Sequence, residues 1–173
     1  PVYRRLSAPT GCTITIMTVS SPETGSVLPT VQGTLRDCTE PRARLDGVKA
    51  GDIVVVDAAD LSQRLADSLI AVNPAVVINL SRYATGAVPN YGPYLMLDAG
   101  IPLFEATGEK LHKAIRSGKP ARIAENGELI VGKKSVGNCE AVRREDINAA
   151  FDDAQRRLTA NAEAYFGNAI QFL

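Results

Sequence analysis

Two unbroken apolar runs dominate the middle of the chain: Ile53-Val54-Val55-Val56, ended by Asp57, and Ala75-Val76-Val77-Ile78, followed by Asn79-Leu80. Runs without polar alternation suit strands covered on both faces. Between them Leu61, Leu65, Ala66, Leu69 and Ile70 recur at threes and fours, the apolar face of a helix. Asp60 stands where a cap for that helix is expected. Asn73-Pro74 ends it, because the residue before a proline is pushed out of helical geometry. The pattern predicts a β-α-β unit, and the crossover implies parallel strands.

Residues 81–93 then break the periodicity with Gly86, Pro89, Gly92 and Pro93, and read as a long loop. A short helix fits residues 94–99, with Gly100 as its stop, and Ile101-Pro102-Leu103-Phe104 opens a third strand. Residues 108–117 read as another helix. Asn126-Gly127 between residues 121–124 and 128–131 is a strong hairpin signal. Near the end Ile147, Phe151, Ala154, Leu158, Asn161, Tyr165, Asn168 and Phe172 step by alternating threes and fours, so residues 144–173 read as one long helix with a heptad-like stripe. Leu158, Tyr165 and Phe172 on that stripe are the candidates for contact with a second copy or a further domain. At the other end, alternation in Thr13-Ile14-Thr15-Ile16 suits an edge strand, and the Ser/Pro/Gly-rich stretch 20–29 suits a loop or arm.

The expected organisation is an arm or edge strand over 1–32, an α/β domain over 33–142 and the long helix over 143–173. The expected fold class is α/β: a small, mostly parallel sheet with covering helices, a β-hairpin and a long C-terminal helix.

Composition narrows the functions. With 173 residues, 45% hydrophobic and 22% charged, the chain has the make-up of a globular domain rather than a disordered one. Lys+Arg and Asp+Glu both total 19, so the basic excess that tracks phosphates is missing and no nucleic-acid partner is expected. Cys12, Cys38 and Cys139 are odd in number and widely spaced, which points to reduced thiols in a cytosolic setting rather than a disulfide framework or a zinc site. No apolar run is long enough to cross a bilayer, and the first ten residues lack a secretory signal pattern.

The loop is the favoured working surface. It leaves the C-terminal end of a buried strand, the edge where open α/β sheets take ligands, and enters a helix whose first N–H groups suit an anion. Asn79, Ser81, Arg82, Thr85, Gly86, Asn90 and Gly92 are the candidate ligand-binding residues, with Arg82 suited to a phosphate or carboxylate. The plainer alternative is that the glycines and prolines only make turns. Neither a GxxxxGK[ST] nor a GxGxxG motif is present. Asp57 and Asp60 share the edge, as a site for a hard cation such as magnesium or as helix caps. His112, the one histidine, falls in a predicted helix with no nucleophile motif near it, and Lys133-Lys134 reads as solvated surface. The sequence leaves any cofactor unknown, and it offers no convincing catalytic set.

Three stretches resemble the SteA family of actinobacterial cell-separation proteins. Gly51-Asp52-Ile53-Val54-Val55-Val56-Asp57-Ala58-Ala59-Asp60-Leu61 is similar to the family's GDIAVIDHxDLD segment. Val77-Ile78-Asn79, Gly86, Pro89-Asn90, Gly92-Pro93 and Ala99-Gly100-Ile101-Pro102-Leu103 follow VVNxxxSxxGxYPNxGPxxLxxAGIPL. Leu158, Glu163-Ala164, Tyr165, Asn168 and Phe172-Leu173 resemble LSxQLEAFAANTMEYL. Tyr83, Thr85 and Val88 depart from the family's serine, serine and tyrosine, so only part of its hydroxyl set is kept.

The resemblance implies a non-catalytic regulatory or scaffold part of a cell-division protein. That protein would act with the membrane protein SteB to control peptidoglycan hydrolysis, in the cytoplasm at the inner face of the membrane or the septum. The heptad-like stripe, and not the resemblance, points to homo-oligomers through the C-terminal helix or to a further domain joined to it. Family members carry a following domain similar to thiamine pyrophosphokinase, whose DGGAD…GDMDS signature is absent here, so this chain is expected to be the N-terminal portion. The alternative function is the nucleotide- or small-anion-binding part of such a phosphotransferase. A fainter resemblance, from GDIVVV through AGIPL to the hairpin, is to the swivelling β/β/α phosphohistidine domain of phosphoenolpyruvate-utilising enzymes, but Asn90-Tyr91-Gly92-Pro93 lacks the histidine.

Overall fold

The computed structural model describes residues 3–7, 13–17, 30–39, 45–107, 111–115 and 117–171. Strands β1 (Tyr3–Ser7) and β2 (Thr13–Met17) pair antiparallel as a two-stranded sheet. The 20–29 stretch read as a loop or arm lies outside the described residues. Then come β3 (Val31–Asp37), β4 (Ile53–Val56), α1 (Gln63–Val72), β5 (Val76–Asn79), α2 (Gly92–Asp98) and β6 (Leu103–Thr107). The four strands of this half, β3 to β6, are parallel neighbours in chain order. After α3 (Leu111–Ala114) the direction changes. Strand β8 (Glu128–Val131) is antiparallel to both its neighbours, β7 (Pro120–Ile123) and β9 (Lys134–Val142), and α4 (Arg144–Gln171) follows.

The architecture corrects the expected one. Strand β9 pairs with both β6 and β8, while β7 pairs back onto β3, so seven strands close into a mixed barrel in the order β3-β4-β5-β6-β9-β8-β7. The small, mostly parallel sheet with covering helices is therefore overturned. The reason lies in two strands whose sequence pattern is weak. Lys134-Ser135-Val136-Gly137-Asn138-Cys139-Glu140-Ala141-Val142 has neither an apolar run nor clean alternation, and only Cys139 is fully buried. Its strand character comes from its partners, from Leu103↔Val142 to Thr107↔Asn138. Strand β3 buries only Leu35 and straddles the boundary expected at residue 33.

Closure also explains the two apolar runs. Ile53 and Val55 of β4, with Val76 and Ile78 of β5, fill the barrel with Leu35, Phe104, Ile123 and Leu129. The alternate residues Val54, Val56 and Val77 face outward, where Leu61, Ala66, Leu69, Tyr83, Met96 and Ile147 cover them. Each run is apolar throughout because it separates two cores.

Helix α1 is capped by Ser62, whose hydroxyl accepts from the Leu65 N–H at 3.2 Å, and not by Asp60. It ends at Asn73, which takes the left-handed conformation (φ 50°) that asparagine tolerates better than most side chains. Along α4 the stripe divides. Ile147 and Ala154 are buried, and half-buried Phe151 meets Tyr91 and Tyr94 edge-on at 5.1 and 5.8 Å. From Gln155 to Ala164 every side chain is exposed, Leu158 by 60%. Phe172 and the side chain of Tyr165 lie outside the described residues. Among the described residues no helix is long and apolar enough to cross a membrane.

Candidate functional site

The loop that links β5 to α2 is built from hydrogen bonds to its own chain. At the end of β5 the buried amide of Asn79 donates to the Ala58 carbonyl (2.7 Å) and accepts from the N–H groups of Ala58 and Ser81 (3.0 Å each). It thereby continues the β4–β5 pairing past the last residues of both strands. Ser81 donates its hydroxyl to Asp57 Oδ1 at 2.5 Å. Thr85 gives both its N–H (2.8 Å) and its hydroxyl (2.7 Å) to the Asp60 carboxylate. Asn90 donates to the Tyr83 carbonyl and accepts from the Gly92 N–H, so an amide at the start of α2 that was expected to face an anion is already engaged.

Two glycines set how closely the loop is held. A Cβ on Gly92 would come 2.2 Å from the Leu61 carbonyl oxygen, so the loop can lie on the start of α1 only with glycine there. Gly86 has φ +82°, and its turn rests on the backbone of α4 at Ala150.

Tyr83, one of the departures from the family pattern, is an interior anchor and not a surface hydroxyl. It is fully buried, donates its hydroxyl to the Val77 carbonyl at 2.8 Å, and has its N–H held by Glu105 Oε1 at 3.0 Å. Burial, reinforced by the Glu105 carboxylate, pushes its phenol well above the usual tyrosine range.

The two aspartates do not come together as a cation site. Asp57 binds Ser81 through one oxygen and faces His112 Nε2 at 3.4 Å with the other, while Asp60 is taken up by Thr85. Asp60 has φ 51°, a conformation that places its carboxylate under the loop instead of over the first turn of α1. Among the described residues no three His, Cys, Asp or Glu side chains group as a metal site. The geometry thus gives His112 a partner that its sequence position did not disclose.

Of the candidate side chains, Arg82 is left over. It is exposed, and its guanidinium has no hydrogen-bond or ion-pair partner among the described residues. It lines a cleft of about 520 Å³ bounded by the loop, the β6–β9 ribbon and α4. Glu105, Glu140, Asp146, Asp153 and Arg157 supply the other charges of this cleft. Sequence reasoning missed it, although one signal was present: Glu105 interrupts the otherwise apolar Leu103-Phe104 and Ala106 of β6. The helix wall is fixed to α2 by Tyr94, which donates to Asn148 at 2.6 Å, and by the Arg144–Asp98 ion pair at 2.5 Å.

The described cysteines, Cys38 and Cys139, are free and buried. Burial pushes their thiols from 9.0 up to about 11 and about 12, so neither offers a thiolate at neutral pH.

No protein-family model and no curated protein matches the chain. Among solved structures it is similar to a 3-isopropylmalate dehydratase (leuD) of Methanocaldococcus jannaschii, at 14% identity over 79% of this chain and 99% of that one, with a TM-score of 0.47. A UPF0107 protein solved by NMR is similar at 17% identity, over 66% of this chain and 92% of that one, with a TM-score of 0.42. Likenesses of this size carry no argument about fold or activity.

Proposed function

We propose that this chain is a non-catalytic scaffold module of the SteA kind, working in daughter-cell separation with a SteB-like membrane partner that it engages from the cytoplasmic side. The observation that carries the reading is the division of α4. Its first turns are fastened through buried Ile147 and Ala154 and through Phe151, which meets Tyr91 of the loop and Tyr94 of α2, and its next turns, from Gln155 to Ala164, stand exposed. A helix anchored at one end and exposed beyond suits a part that presents a surface to another chain.

The motif residues support the same reading. Asn79, Gly86, Asn90 and Gly92 each hold the loop in place, so the most recognisable stretch of sequence builds the platform on which α4 rests. Homodimers through α4 belong to the proposal, with Leu158 on the shared stripe.

The test is a pull-down of a SteB-like membrane protein with the full chain, beside light scattering of the chain alone. Binding or self-association that is lost in Leu158→Glu is the expected result. A chain that stays monomeric and retains no SteB-like protein would refute the proposal.

A further inference from the structure

We infer that the cleft between the loop, the β6–β9 ribbon and α4 is a binding site for a small zwitterion, an amino acid or short peptide. Its cationic group would sit on Glu105 and Glu140, and its carboxylate would be held by Arg82 and Arg157. This inference stands apart from the scaffold reading.

The cleft arises where the outer layer stops. On β6 and β9, Phe104, Ala106, Cys139 and Ala141 turn into the barrel, and Leu103, Glu105, Glu140 and Val142 turn out. Leu103 and Val142 are registered partners beneath the apolar cover of the helices. Two residues along the ribbon, Glu105 and Glu140 are registered partners in turn. There the cover gives way to Ala84, Ala149 and Ala150, which are too small to fill the space.

Like charges directly opposite each other on a ladder oppose strand pairing. No Lys, Arg or His is paired with either glutamate among the described residues. Glu105 keeps one oxygen on the Tyr83 N–H, and Glu140 makes no side-chain hydrogen bond among the described residues. The two guanidiniums of the cleft are in the same condition, since neither Arg82 nor Arg157 is in an ion pair among the described residues.

The other acids of the rim are already engaged. Asp146 accepts from the Arg143 N–H at 2.9 Å, and Asp153 pairs with Arg156 at 3.3 Å. Beside these two rim carboxylates, which have partners of their own, the cleft presents a carboxylate pair on the floor and a guanidinium on either wall. A simple anion would meet the glutamates, and a simple cation the arginines; a molecule with both signs answers both pairs. Guanidinium takes a carboxylate in a two-pronged hydrogen bond, which fixes the orientation. The volume, about 520 Å³, falls in the range of small-molecule sites.

The test is calorimetric titration of the full chain with L-lysine, L-arginine and the dipeptide Gly-Lys, beside cadaverine, hexanoate and inorganic phosphate, with amide NMR to locate the contact. At least one amino acid or the dipeptide should bind with a Kd of about 10 mM or tighter, and cadaverine, hexanoate and phosphate about tenfold or more weakly. Glu140→Gln and Arg157→Gln, both at exposed positions, should each weaken binding about tenfold. Ala149→Phe, which fills the cleft and leaves the charges in place, should abolish it. Shifts should centre on Ala84, Ala141 and Ala149. The inference is overturned if none of the three zwitterions binds by about 10 mM. Binding unaltered by all three variants, or phosphate or hexanoate binding as tightly as the amino acids, overturns it as well.

Discussion

Replacing Asn79 by alanine removes three hydrogen bonds at once: the donation to the Ala58 carbonyl and the acceptance from the Ala58 and Ser81 N–H groups. Asn79 has no exposed surface, so water does not readily replace them. At roughly 0.5–1.5 kcal/mol net for each bond, the loss comes to about 2–4 kcal/mol. That is a sizeable share of the roughly 5–15 kcal/mol that holds a domain folded. Asn79→Asp sharpens the test. A carboxylate can still accept the two N–H bonds, but it sets a negative oxygen against the Ala58 carbonyl.

Burial and that carbonyl push the carboxyl's pKa up while the two N–H bonds pull it down; with the site fully buried the expected net effect is a folded value above the unfolded one of about 3.9. The aspartate variant should therefore be most stable below about pH 3.9 relative to the parent, where it is protonated and can donate to Ala58, and should lose stability as pH rises through its folded value. Urea unfolding followed by circular dichroism measures both effects. If Asn79→Ala falls within about 0.5 kcal/mol of the parent, or Asn79→Asp matches the parent at pH 7, the amide does not join β4 to β5 as reasoned.

Gly92→Ala pushes a methyl group into the Leu61 carbonyl at 2.2 Å, and because the obstacle is backbone the cost should reach the upper part of the roughly 1–3 kcal/mol range for overpacking. A thermal melt unchanged from the parent would show that α2 moves away freely. Glu140→Lys turns the like-charged Glu105↔Glu140 pair into an opposite-charged one, and should stabilise by about 0.2–1 kcal/mol in urea titration. Cys38 and Cys139 should resist alkylation in the native chain at pH 8 and react once it is unfolded, as peptide mass spectrometry would read. Their thiols are held at about 11 and about 12 in the fold against 9.0, so the stability they contribute is complete below pH 9 and declines as pH rises towards those values. Melting temperatures taken between pH 8 and about 11 check that slope.

Much of the local structure was legible in the sequence because it depends on neighbours along the chain. The apolar runs of β4 and β5, the stop at Asn73-Pro74, the turn at Asn126-Gly127 and the long period of α4 all carry their cause within a few residues. The loop was legible as a landmark through its glycines, prolines and Asn90, though not in the work it does.

Tertiary structure decided the rest. Whether the sheet stays open or closes depends on β9 finding β6 and β7 finding β3, pairings between residues far apart in the chain, each of which includes a strand, β9 or β3, whose own pattern is weak. Asp60 looked like a cap because it precedes a helix, but Ser62 is the cap and Asp60 turns to Thr85 across the fold. The hydroxyls and amides of the loop are held by groups the sequence places elsewhere, and Arg82 gains its cleft only when α4 folds back over the loop. Period and turn chemistry are properties of a short stretch of chain. Closure, burial of charge and the company a side chain keeps are properties of long-range contact, and only the folded barrel determines them.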